Sequence, residues 1–497
     1  MKRRQFLKHT FAAGAALMLP APLLADPYRP FHRRIRPADP VRIRGRVLAG
    51  NKGLARVAVT DGLSVVETGR DGRFELLSGS RRPFVYLSVP AGYRLPLNPT
   101  GTVRFFEPIR ADERGEMQVR FDLEADAASG EDHAFFVLAD PQTQTAYEMG
   151  RFHAETIPDV LASASALGNL PRFGVSCGDI MFDDLSLYPE YERAVARTEM
   201  PFFQVIGNHD LDFDGLSDAA SANTFGRHFG PTYYSFERGA VHYVVLDDVF
   251  WHSAGYFGYL DADQVGWLEQ DLARVEAGRT VVVFTHIPTL SGNYRRNGEA
   301  NPGISVSITN REALYRLLEP YQAHIIAGHT HEHEHMFEGG AHEHILGTAC
   351  GAWWSGDICA DGTPNGYAVF EARGEALTWR YKSTGRPEGH QLRVYPRGAD
   401  PNAPHEIVAN VWDWDPEWTV TWVEDGIRKG IMARRTGTDP LAEALYRGSD
   451  LPTHRTWVDP FRVDHLFYAP VSPEAGDLRV EAVDRWGRVY TGIPEAI

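Results

Sequence analysis

Cysteine is scarce, with three residues in 497, at 177, 350 and 359, which is too few for a disulfide framework. Cys350 and Cys359 are near enough in sequence for one bridge in an oxidising compartment. Cys177 sits inside an apolar run and reads as a small core residue, so no thiol chemistry is expected. No internal repeat or low-complexity tract is present. Positive charge is also short: the formal net charge is −16, the wrong sign for wrapping polymeric nucleic acid. A small anionic substrate is not excluded, because a local positive field can exist within an acidic protein. Long hydrophobic runs are missing except at the start, where residues 11–24 are too few and too rich in Pro and Ala for a good membrane span.

That apolar stretch follows Lys2, Arg3, Arg4 and Lys8 and precedes Ala25, a plausible cleavage point. Residues 1–25 therefore read as an export signal. The signal resembles a twin-arginine leader, which implies a bacterial protein that is folded before it crosses the membrane and works in the periplasm or beyond. An envelope or lipid surface is then within reach as a partner.

A chain of 497 residues with 43% hydrophobic and 23% charged residues suggests about three globular domains. Residues 41–123 alternate in the β manner between Asp-Gly and Asn-Lys-Gly turns and read as a small β-sandwich. Residues 124–132 are small, polar and acidic, as in a linker. From 134 to 382, apolar strand-like runs alternate with helical periodicity at 262–275 and 310–321, an α/β pattern. Residues 383–497 return to short β alternations, a second β domain. Its Trp412, Trp414, Trp418 and Trp422 read as core packing before they read as a sugar or lipid surface.

Five motifs stand out in the α/β region, each at the end of an apolar run: Asp140-Pro-Gln142, Gly178-Asp179, Gly207-Asn208-His209-Asp210, His286, and Gly328-His329-Thr-His331. Open α/β sheets collect chemistry beyond the carboxyl ends of their strands, so this order points to one shared site. Asp140 and Gln142 lie two apart and point the same way if the segment is extended. Asp179 has two carboxylate oxygens for bridging two ions. With Asn208 and three imidazoles and no thiolate, the donor set suits two divalent ions, either Mn, Fe or Zn.

The five motifs in this order resemble the calcineurin-like metallophosphoesterases over residues 134–382, and the flanking modules resemble the β domains of a bacterial branch of that family. The resemblance implies a two-sheet sandwich flanked by helices and a two-metal site. One ion would be held by Asp140, Gln142, Asp179 and His331, and the other by Asp179, Asn208, His286 and His329. It implies a bridging water whose pKa falls from about 15.7 toward about 7 and which attacks phosphorus. His209 resembles the family's proton donor, and Asp183 matches its orienting partner with one residue too many. Gln142 stands where a histidine is commoner, which weakens one metal position. The expected function is hydrolysis of a phosphomonoester, with phosphodiester cleavage at the same centre as the alternative. A non-catalytic metal-containing surface protein is the reading from another class.

Other residues invite a role at the rim. Trp353 and Trp354 follow the last motif, and His252 follows a strand ending at Asp247-Asp248. Arg295, soon after His286, could clamp a phosphate oxygen. The run His331, His333, His335, His342, His344 is dense in imidazole and reads as solvated or as supporting the metal ligands.

Overall fold

The computed structural model describes residues 40–79, 81–126 and 131–497. The leader at 1–25 lies outside them, as does part of the linker. No helix among the described residues is long and apolar enough to cross a membrane.

The amino-terminal module is built from two four-stranded sheets, one around strand Val41–Ala49 and one around Ala58–Thr60 and Phe84–Leu87. The strand Arg73–Ser78 alternates exposed and buried residues along its length, the period of two that its sequence carries.

Two sheets make the central body. The first runs in the order Phe202–Val205, Arg172–Cys177, His133–Leu138, Gly366–Arg373, Ala376–Ser383. The second runs Tyr234–Arg238, Val241–Val245, Thr280–Phe284, Gln322–Ala327, Ala341–Ile345, Glu334–Glu338. The second has a parallel centre, and in the first the three strands from the edge Phe202–Val205 to His133–Leu138 are parallel while the last two are antiparallel. Strands at that centre are buried on both faces, which is why they read as unbroken apolar runs. Aromatic rings fill the space between the sheets: Phe135 stacks on Phe370 at 4.7 Å and Phe203 on Phe236 at 4.0 Å. Helices Ile157–Ala166 and Tyr188–Ala196 cover one outer face. Helices Ala262–Leu272 and Arg311–Leu318 cover the other, close to where periodicity placed them.

The carboxyl-terminal domain is a further pair of four-stranded sheets. Trp412 and Trp418 are buried in it, and Trp414 and Trp422 pack on its core.

A buried ion cluster ties the second sheet to its helices. His242 lies between Glu237 at 2.7 Å and Asp271 at 2.9 Å, and Arg279 and Arg274 hold the two carboxylates from outside. Burial disfavours a charged ring, but Glu237 and then Asp271 outweigh it and push His242 up to about 9. A histidine raised above its unfolded value stabilises the fold fully below pH ~6.5 and loses that contribution as pH rises through about 9. The size is at most about 3 kcal/mol. Urea titrations between pH 6.5 and 9.5 should show stability falling across this window in the wild type and a flatter profile in His242→Gln.

Candidate metal centre

The parallel strands of both sheets deliver their carboxyl ends to one edge. Asp140 and Asp179 each lie two residues beyond a strand of the first sheet, and His286 and His329 two beyond strands of the second. Asn208 opens a short turn, Asn208–Asp210, after a third strand. The backbone here is unusual: Asp140, Gln142, Asp179, His329 and His331 have φ of 44°, 42°, 44°, 71° and 54°. Left-handed backbone at non-glycine residues is costly and clusters at functional sites. The segment 140–142 is therefore not extended as its spacing suggested, and strand alternation does not aim its side chains.

Close packing explains the motif glycines. A Cβ at Gly207 would overlap the backbone and carboxylate of Asp179, and one at Gly328 would overlap the Asp140 carboxylate. Asp210 staples two of the loops by accepting from the backbone N–H groups of Ile180, Met181 and Gly207 at 3.0–3.1 Å. Burial, with Asp179 nearby, raises its carboxyl to about 7. This scaffold role was not legible in the motif.

The structure brings Asp140, Gln142, Asp179, Asn208, His286, His329 and His331 together. His286 Nε2 is 3.2 Å from Asp179 Oδ1, 3.1 Å from Asn208 Oδ1 and 3.1 Å from His329 Nδ1. His331 Nε2 is 3.5 Å from Asp140 Oδ1. Gln142 lies 3.0 Å from Asp179 Oδ2 through its amide nitrogen, and turning the amide over would place its oxygen there.

This donor set fits metal ions. Each imidazole gives one N–H to a backbone carbonyl: His286 Nδ1 to Cys177 at 3.2 Å, His329 Nε2 to Ser305 at 2.8 Å, and His331 Nδ1 to Gly351 at 2.8 Å. The other nitrogen of each neutral ring is then a lone pair; those of His286 and His331 face carboxylate and amide oxygens, and that of His329 faces His286 Nε2. Acceptors facing acceptors require a cation between them. With protein atoms alone a proton takes that place: burial opposes charge on His286, yet Asp179 and Asp140 outweigh it and push the ring up to about 10. Burial alone would raise Asp179, but His286 and then His209 hold it well below the usual carboxylate range.

His209 stands beside this cluster. Its Nδ1 is 2.6 Å from Asp183 Oδ1, its Nε2 is 3.9 Å from Asp179 Oδ2, and Phe182 packs edge-on against the ring at 4.5 Å. Asp183, at φ 68°, reaches His209 despite the extra residue in its spacing. Burial lowers the ring's proton affinity, but Asp179 and Asp183 more than offset this, so His209 is raised.

The rim residues divide. Trp353 stacks on His331 at 4.2 Å. Trp354 is not at the rim: it is buried and donates from Nε1 to the Pro141 carbonyl at 3.0 Å, beneath the first motif. Arg295 stacks on Tyr294 and pairs with Glu338 at 3.5 Å, away from the candidate ligands. His252 is exposed at the tip of the hairpin Val249–Trp251 and Tyr256–Gly258. From that hairpin Tyr256 packs against His329 at 6.1 Å, a neighbour that no local pattern signalled. Arg455, over Phe182 at 4.7 Å, arrives from the carboxyl-terminal domain and is equally invisible in the motifs. Cys350 and Cys359 are free, buried thiols 3.6 and 3.8 Å from Thr348 Oγ1, and do not form the bridge their spacing allowed.

Replacing Gln142 with histidine should tighten one metal position by on the order of tenfold, since imidazole is a stronger donor than an amide oxygen. The check is the chelator concentration that strips half the metal from Gln142→His and from wild type.

Family models match consecutive parts of the chain: the N terminal of calcineurin-like phosphoesterase at 41–126, calcineurin-like phosphoesterase at 135–333, and the C terminal of calcineurin-like phosphoesterase at 343–490. The last match begins ahead of residue 383 and takes in strands Gly366–Arg373 and Ala376–Ser383 of the central sheet. The serine/threonine-protein phosphatase CPPED1 of Homo sapiens is 26% identical over 43% of this chain and 68% of its own length. Purple acid phosphatase 22 of Arabidopsis thaliana is 26% identical over 32% of this chain and 37% of its own. Among solved structures, purple acid phosphatase PPD1 from yellow lupin (Lupinus luteus) aligns with a TM-score of 0.36 at 12% identity, covering 69% of this chain and 71% of that one. The chain belongs to the calcineurin-like phosphoesterases, two-metal enzymes that hydrolyse phosphoric esters.

Proposed function

We propose that the protein is an exported phosphomonoesterase of the bacterial envelope. The observation that carries the hydrolytic reading is the set of three imidazoles whose backbone hydrogen bonds turn a lone pair toward Asp140, Asp179 and Asn208. The preference for monoesters is supported by relatives named as phosphatases, and export by the basic and apolar pattern of residues 1–25.

Asp140, Gln142, Asp179 and His331 would hold one ion, and Asp179, Asn208, His286 and His329 the other. Two such ions supply positive charge for a phosphate and a nucleophilic water near neutral pH. The chain's own residues do the rest. Asp183 accepts a proton-bearing Nδ1 from His209 and so holds Nε2 toward the centre, where it donates a proton to the departing alkoxide. Trp353 on one side and Tyr256 on the other give the mouth aromatic walls for the body of the ester.

The test is hydrolysis of para-nitrophenyl phosphate and bis-para-nitrophenyl phosphate by the mature protein before and after chelation. Chelator-sensitive turnover that favours the monoester is expected. Preference for the diester would make it a phosphodiesterase. Two bound metals with no turnover of either ester, even with added Mn²⁺, would refute the enzymatic reading of this chain on simple esters.

A further inference from the structure

The strands on either side of the last motif carry a second imidazole cluster. His324 lies on strand Gln322–Ala327, His342 and His344 on Ala341–Ile345, and His335 on Glu334–Glu338. His324 pairs in register with His342, and His335 with His344. Their rings turn inward, against Trp379 of the opposite sheet: His342 lies 4.9 Å and His344 4.6 Å from it. His344 is fully buried and His342 nearly so. The expectation of solvated histidines is therefore wrong here. The stretch is not one extended run: His331 turns with φ 54° and the strand begins only at Glu334.

Apolar side chains are the usual filling of a layer between two sheets, and imidazoles there need a reason. Hydrogen bonding accounts for only part of them. Asp413, from the carboxyl-terminal domain, accepts at Oδ1 from His333 Nε2 at 3.1 Å and His335 Nε2 at 2.9 Å. His335 Nδ1 is then an acceptor, taken by His342 Nε2–H at 3.0 Å. That fixes the His342 tautomer and leaves its Nδ1 a lone pair. His344 Nδ1 has no hydrogen-bond partner although it is buried, and a buried orphan N–H is the costlier tautomer. With its proton on Nε2, His344 donates to His324 Nδ1 at 3.0 Å, and its Nδ1, like that of His342, is left a lone pair. One ring nitrogen from each of His324, His342 and His344 lies within 4.8 Å of the other two.

We propose that His324, His342 and His344 form a mononuclear tris-imidazole site for a divalent transition metal of the Zn²⁺ class, separate from the centre at the strand ends. Imidazole ligands with no thiolate suit Zn²⁺, Cu²⁺ or Ni²⁺ and not Mg²⁺ or Ca²⁺. Burial keeps the rings unprotonated, as ligands must be: it takes His324 down to about 4, with Arg485 adding to the effect, and holds His344 well below the usual imidazole range. Arg485 is itself paired with Asp415 at 2.8 Å, which offsets its charge. The relay Asp413–His335–His342 orients a ligand from outside, as carboxylates commonly do for metal-bound histidine. Because Asp413 lies in the carboxyl-terminal domain, the metal also ties that domain to the central sheet.

The full mature chain, stripped of metal and reloaded with Zn²⁺ alone, is the material for the test, with metal counted per chain after gel filtration. His342→Gln should hold one equivalent fewer than wild type and keep its turnover of para-nitrophenyl phosphate. His286→Ala, which damages only the strand-end centre, should keep the equivalent at the cluster. A folded His342→Gln with wild-type stoichiometry overturns the proposal. Should that variant not fold, anomalous scattering at the zinc edge from Zn²⁺-loaded wild-type crystals decides. A peak among the three imidazoles upholds the site, and a peak at the strand ends alone overturns it. Loss of all metal from His286→Ala also overturns it, whereas a wild type that binds only at the cluster would sink the two-metal reading and leave this one standing.

Discussion

His209→Gln lowers turnover of phenyl phosphate by roughly 10²- to 10⁴-fold while the metal content stays at the wild-type level, the range for loss of a positioned general acid. The geometry separates this residue from the ligands. Its Nδ1 is committed to Asp183 at 2.6 Å and its Nε2 stands 3.9 Å from Asp179 Oδ2, close enough to serve the reacting group without coordinating. The hydrogen bond that its backbone gives Asp179, at 2.8 Å, survives the substitution. The ligand loop therefore keeps its shape. If His209 protonates the leaving oxygen, the loss must shrink as that oxygen becomes less basic. The variant should thus be nearly wild-type on 2,4-dinitrophenyl phosphate. Asp183→Asn should show the same trend at smaller amplitude, because it disturbs the ring's orientation and proton affinity without removing it. A uniform loss across leaving groups would reassign His209 to stabilising the phosphoryl oxygens. Unimpaired turnover would remove it from the mechanism.

The meeting of the candidate ligands was legible in the sequence because each motif follows an apolar run, and a strand buried on both faces leaves little else for such a run to be. They sit at the carboxyl ends of the parallel strands of two sheets. The left-handed backbone at Asp140, Gln142 and Asp179 was not legible, because it is imposed by loops from both sheets crowding one edge. Nearness in sequence allowed a Cys350–Cys359 bridge, but both thiols are free and buried near Thr348 Oγ1. Trp354 looked like a rim residue because exposure of a lone tryptophan after a motif has no local signature. Arg455 and Tyr256 reach the site from a separate domain and a separate hairpin, contacts that only the folded chain reveals. The inward histidines at 324, 342 and 344 were concealed by the habit that polar residues in a strand face water.

Asp179→Asn carries the second large effect: metal content falls to below one ion per chain at the strand ends and turnover to background. Asparagine is the informative replacement because the position has φ 44°, a conformation that Asn tolerates and Ala does not. Size and backbone are thereby held constant, and the change isolates charge. Asp179 accepts from His209 N at 2.8 Å and Gln142 Nε2 at 3.0 Å and faces His286 Nε2 at 3.2 Å. An amide can replace one of those acceptors, but it cannot give a negative oxygen to each of two cations. Asp140 would then be the sole carboxylate in the ligand set, so two divalent ions would meet one negative charge in a buried site, and their mutual repulsion would go unopposed. The wild type should gain thermal stability when metal is added, as any ligand that binds the folded state must confer. In the variant the gain from filling the strand-end centre should vanish, while a gain from the imidazole cluster at His324, His342 and His344 persists. Reading the thermal midpoint against added Zn²⁺ in Asp179→Asn, His342→Gln and the double variant separates the two contributions. Two ions retained at the strand ends of Asp179→Asn would show that Asp179 does not bridge them.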